Sequence, residues 1–323
     1  MRRICSVLML TMLLCFAATG CKVENTNSTS NVNSTGDRKV SKEIQIDGSS
    51  TVFPISQAVA EEYMKENSDI NVTVGLSGTG GGFKRFIRGE TDINDASRPI
   101  KESELKSLKD AGIEFIELTI AIDGLSVIVH PENDWCDAIT TEQLNMIWKP
   151  GSEITTWKQV DENWPDEPFK LYGPDTDSGT FDYFTEAING EEGASRSEYV
   201  ASSDDNILVR GVSGDKYSLG YFGYAYYVEN KNKLKVLSVA NGNDVSIAVE
   251  PTAESIEAGK YVPLSRPLFL YVRKDSLQKP HVATFLRYYL NEGQNLVNEV
   301  GYVNLSEEQL KTTKQTLEEG VSK

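Results

Sequence analysis

From residue 43 onwards, short strand-like stretches alternate with amphipathic ones. Residues 43–47, EIQID, alternate polar and apolar side chains, and the next segment places Ile55, Val59 and Tyr63 on one face of a helix. The same order returns at residues 70–77, INVTVGLS, and again at TDINDAS, each followed by a helical pattern. Such alternation predicts an α/β fold with a mainly parallel sheet and helices on its faces.

The pattern restarts in the second half of the chain. A short helix is predicted at 141–148, and strands are predicted at 169–172, 218–228, 233–239 and 266–275. A late helix has one apolar face, formed by Val282, Phe285, Leu286, Tyr289 and Leu290. We therefore predict two α/β units. The conspicuous motifs lie where strands lead into helices, which is the edge at which open parallel sheets bind ligands.

The N-terminal segment has a different pattern. Arg2 and Arg3 precede an apolar core that ends in Ala18-Thr19-Gly20-Cys21, the arrangement of a secretory signal. It resembles a bacterial lipoprotein signal, in which Cys21 becomes the lipid-modified first residue; an ordinary signal with a chance cysteine is the alternative. We expect residues 1–20 to be removed and the polar residues 21–42 to form a flexible tether.

Charge and cysteine content narrow the classes of partner. The net charge is −16, and loss of Arg2 and Arg3 with the signal would make it −18. A chain this acidic lacks the basic face that nucleic acid requires, but backbone dipoles with one arginine can still bind a small anion. Cys136 is the one cysteine of the folded part, so no intrachain disulfide is available.

Four turns share one chemistry. Ser49-Ser50-Thr51, the glycine-rich residues 78–82 and Ser178-Gly179-Thr180 each lead into a predicted helix, and Ser97-Arg98-Pro99 ends a strand before another. The first N–H groups of a helix lack partners within the helix and lie at its positive end, which favours anions. Any one of these turns is explained by helix capping. Together they indicate an anion site in which Arg98 supplies the positive charge.

Five motifs then carry a resemblance. DGSSTVFPI, GLSGTGGGFKRF, TDINDASRPI, YGPDTDSGTF and SLGYFGYAYY, in this order, resemble the PstS family, the substrate-binding lipoproteins of phosphate ABC transporters. The resemblance implies a two-lobed periplasmic-binding protein type II fold with two crossover strands and an interlobe ligand cleft. We expect one lobe from 43–125 plus 266–323 and the other from 126–265, with crossovers near TIAIDGLSV and PLSRPLFLYV.

The resemblance also implies a function. The chain would capture inorganic phosphate and deliver it to the permease subunits of an ABC transporter. It would sit at the outer face of the cell membrane or in the periplasm, anchored through the lipid on Cys21. We expect a monomer without cofactor, metal or enzymatic activity. The phosphate-binding residues implied by the motifs, with Arg98 and Asp177 added, are Ser50, Thr51, Val52, Phe53, Thr79, Arg98, Asp177, Ser178, Gly179 and Thr180.

Two positions depart from the family pattern. Arg98 stands where the best-known members carry an Asp, and Pro174 stands where they carry an Arg. The positive charge is therefore predicted on the other lobe. Asp177 is the candidate acid for the ligand proton, ahead of Asp95 and Asp175, although it could equally cap the helix that follows.

Three alternatives stay open from the residues alone. The chain could bind another tetrahedral oxyanion, sense phosphate without importing it, or be a phosphatase or hydrolase with Ser178 as nucleophile. The last class needs a base beside Ser178, and neither His130 nor His281 lies in an anion turn.

Overall fold

The computed structural model describes residues 42–176, 178–202 and 204–322. The predicted signal, Cys21, nearly all of the tether and Asp177 lie outside the described residues. Within the described part, no helix is both long and apolar enough to span a membrane.

Eleven strands in the described part match most of the predicted strand positions. They are β1 (Lys42–Gly48), β2 (Ile70–Val74), β3 (Ile93–Ala96), β4 (Phe115–Val129), β5 (Ala138–Thr140), β6 (Lys170–Gly173), β7 (Val200–Ala201), β8 (Ser218–Gly223), β9 (Lys235–Val236), β10 (Ser238–Ala240) and β11 (Ser265–Arg273).

The α-helices of the described part lie between these strands and at the C-terminal end. They are α1 (Phe53–Glu66), α2 (Thr79–Ile87), α3 (Glu102–Asp110), α4 (Thr141–Trp148), α5 (Gly179–Asn189), α6 (Asp205–Ser213), α7 (Tyr224–Asn230), α8 (Ala253–Glu257), α9 (Lys274–Leu277), α10 (Pro280–Leu290), α11 (Gln294–Glu299) and α12 (Glu307–Val321). Short 3₁₀ turns occupy Trp157–Gln159 and Val245–Ile247.

The sheet is mixed and curled. Its strand order is β2-β1-β3-β11-β4-β8-β6-β7, with β9 beside β4, and β10 and β5 form a separate pair. The predicted α/β class is confirmed, but the prediction of a mainly parallel sheet is wrong. The two long strands β4 and β11 run antiparallel to each other and to their neighbours β8 and β3, because the chain crosses the molecule once in each direction.

Two hydrophobic cores lie along these long strands. One contains Ala121 of β4 and Leu268 of β11, together with α1, α10 and strands β1 to β3. The other contains Ile122 of β4 and Leu264, just before β11, with α4, α5 and strands β6 and β8. The chain therefore passes from one core to the other at two places, within β4 and at the start of β11.

Most helix faces predicted from the pattern are the buried ones. Ile55, Val59 and Tyr63 of α1 are at most 2% exposed, and the five apolar residues predicted on α10 are fully buried. Cys136 is also buried and behaves as an apolar residue, because burial raises the pKa of its thiol to about 12.

Two local predictions are wrong. The strand expected over 218–228 ends at Gly223, and Tyr224–Asn230 is helical, although its Tyr and Val residues favour strands. In the glycine run expected as a turn, helix α2 already begins at Thr79, so the glycines at 80–82 lie inside the helix and Gly78 is its N-cap. The helix packs so closely there that a side chain at Gly82 would collide with Asn94 and with the Gly48 backbone.

Candidate functional site

Three of the four predicted turns line one cavity of about 310 Å³. One wall holds hydroxyls and amides from the turn before α1, the start of α2 and the end of β3. The other wall is formed by the first two turns of α5. The lining residues are Ser49, Ser50, Thr51, Ser77, Gly78, Thr79, Gly80, Gly81, Ser97, Arg98, Lys101, Asp182, Tyr183, Glu186, Glu192 and Arg266.

The turn before α1 faces the cavity through three residues. Ser49, Ser50 and Thr51 line it, and the Ser49 hydroxyl accepts a hydrogen bond from the Thr51 amide at 3.1 Å. Val52 is fully buried behind the turn, and the Phe53 amide donates to the Ser49 carbonyl at 3.0 Å. The expected Phe53 amide is therefore engaged within the turn rather than offered to a ligand in this structure.

Thr79 joins the start of α2 to the end of β3. Its hydroxyl accepts a hydrogen bond from the Ser97 amide at 3.2 Å and lies 3.2 Å from the Ser97 hydroxyl. The neighbouring Ser77 lines the cavity as well, but its hydroxyl donates to the buried Asp47, which also pairs with Arg85. Thr79 is thus placed at the cavity surface with its orientation set by β3.

The turn before α5 is a helix cap in this structure. The Ser178 hydroxyl accepts a hydrogen bond from the Thr180 amide at 3.2 Å, as an N-cap side chain does. Gly179 lies directly against Thr51, because an added Cβ would come within 2.6 Å of the Thr51 hydroxyl. The turn therefore adjoins the cavity through Thr51, while Tyr183 and the acids of α5 form the wall itself.

Arg98 lies in the cavity wall, where its guanidinium is paired. Both terminal nitrogens donate to Glu104, at 2.9 and 2.8 Å. Burial works against the charge of Glu104, yet the hydrogen bonds from Arg98 and from the Lys101 amide hold its pKa below the ordinary value. A carboxylate within the protein thus compensates the charge predicted to serve the ligand.

A second arginine in the cavity was missed by the sequence reasoning. Arg266 of β11 donates to the Thr51 hydroxyl at 3.0 Å and lies 3.4 Å from the buried carboxylate of Asp123. Burial raises the pKa of Asp123, and the arginine opposes that rise. One sequence signal was present: Ser265-Arg266-Pro267 repeats the tripeptide Ser97-Arg98-Pro99.

The acids of α5 were also missed. Asp182 and Glu186 are four residues apart, so they share the helix face that borders the cavity, with Glu192 beside them. Burial raises the pKa of Asp182 to about 6, and Glu192 adds to the rise while Arg266 opposes it. These acids are balanced by Arg98, Lys101 and Arg266, which gives the cavity one hydroxyl-rich wall and one acidic wall.

The other candidate acids lie away from the cavity lining. Asp95 is fully buried in β3, and its carboxyl oxygens accept no hydrogen bond of ordinary geometry from the described residues. Burial raises its pKa to about 8, the nearby Ser56 hydroxyl lowers it and Asp47 raises it further. Asp175 is half-buried, and its carbonyl accepts from the Ser178 amide at 3.2 Å.

The two histidines make hydrogen bonds elsewhere. His130 accepts from the Glu132 amide at 3.1 Å, and His281 lies 3.2 Å from the Glu43 carbonyl. Over residues 42–176, 178–202 and 204–322, no group of three His, Cys, Asp or Glu side chains is arranged to hold a metal ion. The chemistry available in the cavity is hydrogen bonding by hydroxyls, amides and guanidinium groups, which suits an oxyanion.

The comparisons with known proteins agree with this geometry. Residues 33–292 match the model of the PBP superfamily domain. Protein SphX of Synechococcus elongatus is 50% identical over 264 residues, covering 81% of this chain and 77% of that protein. The phosphate-binding protein PstS of Staphylococcus saprophyticus is 40% identical over 264 residues, covering 81% of this chain and 80% of that protein.

A solved structure extends the match to the fold. The crystal structure of a possible phosphate binding protein from Planctomyces limnophilus is 50% identical, with a TM-score of 0.83, and covers 87% of this chain and 99% of that one. The predicted two-lobed periplasmic-binding fold, with crossover strands and a cleft between the lobes, is thereby confirmed. This chain belongs to the PstS family within the PBP superfamily.

Proposed function

We propose that this chain is an extracytoplasmic binding protein that captures inorganic phosphate in the cleft and delivers it to the permease subunits of an ABC transporter. The observation that carries the proposal is the convergence of hydroxyl-rich turns and two arginines on one cavity of about 310 Å³. The phosphate-binding relatives, named for that activity, support the same ligand.

The proposed site follows the motifs. Ser50, Thr51 and Thr79 donate hydroxyl hydrogen bonds from one wall, together with the Val52 amide and Arg98. The amides and hydroxyls of the Ser178-Gly179-Thr180 turn approach from the other side, and Asp177 remains a candidate acceptor for the ligand proton. Of the motif donors, the Phe53 amide contributes least, because the turn already uses it.

The proposed lobes explain why binding would be tight. The two hydrophobic cores support a division into 43–125 plus 266–323 and 126–265. A ligand held by both lobes favours the closed arrangement, since only that arrangement makes both sets of contacts. Small-angle scattering should then show a smaller radius of gyration when phosphate is added.

Lipid attachment at Cys21 completes the proposal. The lipoprotein-like signal and the polar tether would hold a monomeric binding body at the outer face of the cell membrane or in the periplasm. Metabolic labelling with a fatty acid analogue would detect the lipid, and Cys21→Ser should abolish the labelling.

Calorimetry of residues 43–323 with phosphate, sulfate, arsenate and molybdate tests the ligand. We expect phosphate to bind most tightly. Preference for molybdate or sulfate would replace phosphate with another oxyanion. If the protein binds phosphate but deleting its gene causes no defect in phosphate transport, a role as a phosphate sensor is favoured. Turnover of p-nitrophenyl phosphate would favour a hydrolase and overturn the binding proposal.

A further inference from the structure

We propose that Arg266, rather than Arg98, supplies the positive charge that the bound oxyanion meets in this cleft. This inference rests on the proposed function, because it assigns the charge within the same site. A divalent oxyanion stripped of water needs a charged partner in addition to neutral donors.

Contacts on three sides orient the Arg266 guanidinium. Its Nε faces a carboxylate oxygen of Asp123 at 3.4 Å, and Asp123 is the residue directly opposite on strand β4. The guanidinium carbon lies 3.7 Å from the centroid of the Tyr183 ring, a stacking distance. Its Nη2 donates to the Thr51 hydroxyl at 3.0 Å. A side chain held in this way loses little further conformational entropy when a ligand binds.

The terminal nitrogens of Arg266 reach groups that line the cavity. Nη2 contacts Thr51, and Nη1 lies 4.0 Å from the exposed carboxylate of Glu186. The carboxylate of Asp123 contacts the Nε atom at 3.4 Å, on the inner part of the guanidinium. Arg266 itself lines the cavity, and a guanidinium fork can hold two oxyanion oxygens at once.

The other cations of the cavity are less suited. Glu104 occupies both terminal nitrogens of Arg98 at hydrogen-bonding distance, so a ligand would have to compete with a carboxylate for them. Lys101 is exposed, and solvent weakens its field. Arg266 has only 13% of its side chain exposed, so its charge is screened less.

The location of Arg266 connects binding with both halves of the cleft. It lies at the start of β11, where the chain passes between the two cores, and it contacts Thr51 on one wall and Tyr183 on the other. An oxyanion on Arg266 would therefore lie within reach of donors from both walls. From this position, the single positive charge of Arg266 stabilises the closed arrangement of the two lobes.

Calorimetry with the full chain in detergent compares Arg266→Gln with the matched variant Arg98→Gln, using phosphate at fixed pH and salt. Each change removes one positive charge from the same cavity. We expect Arg266→Gln to weaken binding by at least about thirtyfold, the scale for truncating one partner of a buried charged pair, and Arg98→Gln by less than about tenfold. Arg266→Lys should recover part of the loss, because it restores the charge but not the forked geometry.

Thermal unfolding without ligand verifies that each variant is folded. If Arg266→Gln does not fold, Arg266→Lys is tested instead. We expect it to bind phosphate at least about fivefold more weakly than the parent, because a lysine cannot present two fixed donors. Binding by a folded Arg266 variant within threefold of the parent, or a larger loss in Arg98→Gln, would overturn the inference. If the parent binds arsenate, sulfate or molybdate in place of phosphate, phosphate is not the ligand. The same comparison of variants, made with the ion that binds, then still tests the role of Arg266. A parent that binds none of the four ions overturns both.

Discussion

Glu104 accepts hydrogen bonds from both terminal nitrogens of Arg98, at 2.9 and 2.8 Å, in the wall of the cavity. The two side chains are 21% and 15% exposed, so water screens the pair only partly. An arginine placed next to the proposed ligand thus already has a carboxylate partner. The attraction between Arg98 and a bound anion therefore depends on the negative charge of Glu104 as well as on the arginine itself.

Glu104→Gln should strengthen phosphate binding by roughly threefold to tenfold, since it uncovers the charge of Arg98 while keeping an oxygen for the Lys101 amide. Isothermal titration calorimetry at low salt measures the change. Glu102→Gln, at an exposed position in the first turn of the same helix, changes the net charge equally and is the control. Equal effects of the two variants would mean that long-range charge, not the release of Arg98, is responsible.

Gly179→Ala should weaken phosphate binding by about tenfold, or ~1.4 kcal/mol. The new Cβ would lie 2.6 Å from the Thr51 hydroxyl and 2.9 Å from the Thr51 amide, so the two turns would have to separate. Gly223→Ala is the control, because a Cβ there meets no atom closer than 3.9 Å. Titration calorimetry combined with small-angle scattering reads out affinity and closure; a Gly179→Ala protein that binds and closes like the parent would contradict the close approach of the turns.

Asp182 should make the cleft less favourable for anions as the pH rises. Its pKa of about 6 leaves the carboxyl mostly neutral at pH 5 and charged at pH 8, beside Arg266, Glu186 and Glu192. Asp182→Asn should therefore bind phosphate like the parent at pH 5 and about fivefold more tightly at pH 8, for a repulsion of ~1 kcal/mol. Taking the ratio of the two dissociation constants at each pH cancels the titration of phosphate itself. A ratio that does not change between pH 5 and pH 8 would show that Asp182 does not titrate in this range.

Asp95 should lower the stability of the fold as the pH rises. Its pKa is about 8 in the folded protein, against about 3.9 in an unfolded chain. Between these values the folded form keeps a proton that the unfolded form has lost. Stability therefore falls with rising pH through this window, by at most ~1.4 kcal/mol per pH unit, and the loss is complete above pH 8.

Asp95→Asn replaces the carboxyl with a neutral group of similar shape and should remove that pH dependence. Urea unfolding from pH 4 to pH 8 should show the variant gaining stability relative to the parent at each step. Asp110→Asn, at an exposed position, should leave the parent profile unchanged. A difference in unfolding free energy between Asp95→Asn and the parent that stays constant from pH 4 to pH 8 would mean that Asp95 does not cause the pH dependence of stability.

Local features of the sequence account for most of the elements and for the three predicted turns that line the cavity. The spacing of Ile55, Val59 and Tyr63 is enough to place the buried face of α1, because a helix brings such positions together whatever surrounds it. Likewise, hydroxyls and glycines at helix starts mark Thr51 and Thr79, since capping and backbone access depend on neighbouring residues. The tyrosine-rich segment Tyr224–Asn230 is the exception, where packing prevailed over strand propensity.

The pairing of the charged side chains in the site was decided only by the tertiary structure. Whether Arg98 is available depends on Glu104, which lies six residues away along the chain and accepts its hydrogen bonds. Arg266 meets Asp123 and Thr51 across 143 and 215 residues of chain. A charge acts through space and is compensated by whatever group the fold brings near it. The sequence by itself therefore determined the turns that line the cavity. The antiparallel pairing of β4 with β11 placed Arg266 opposite Asp123 in the cavity wall.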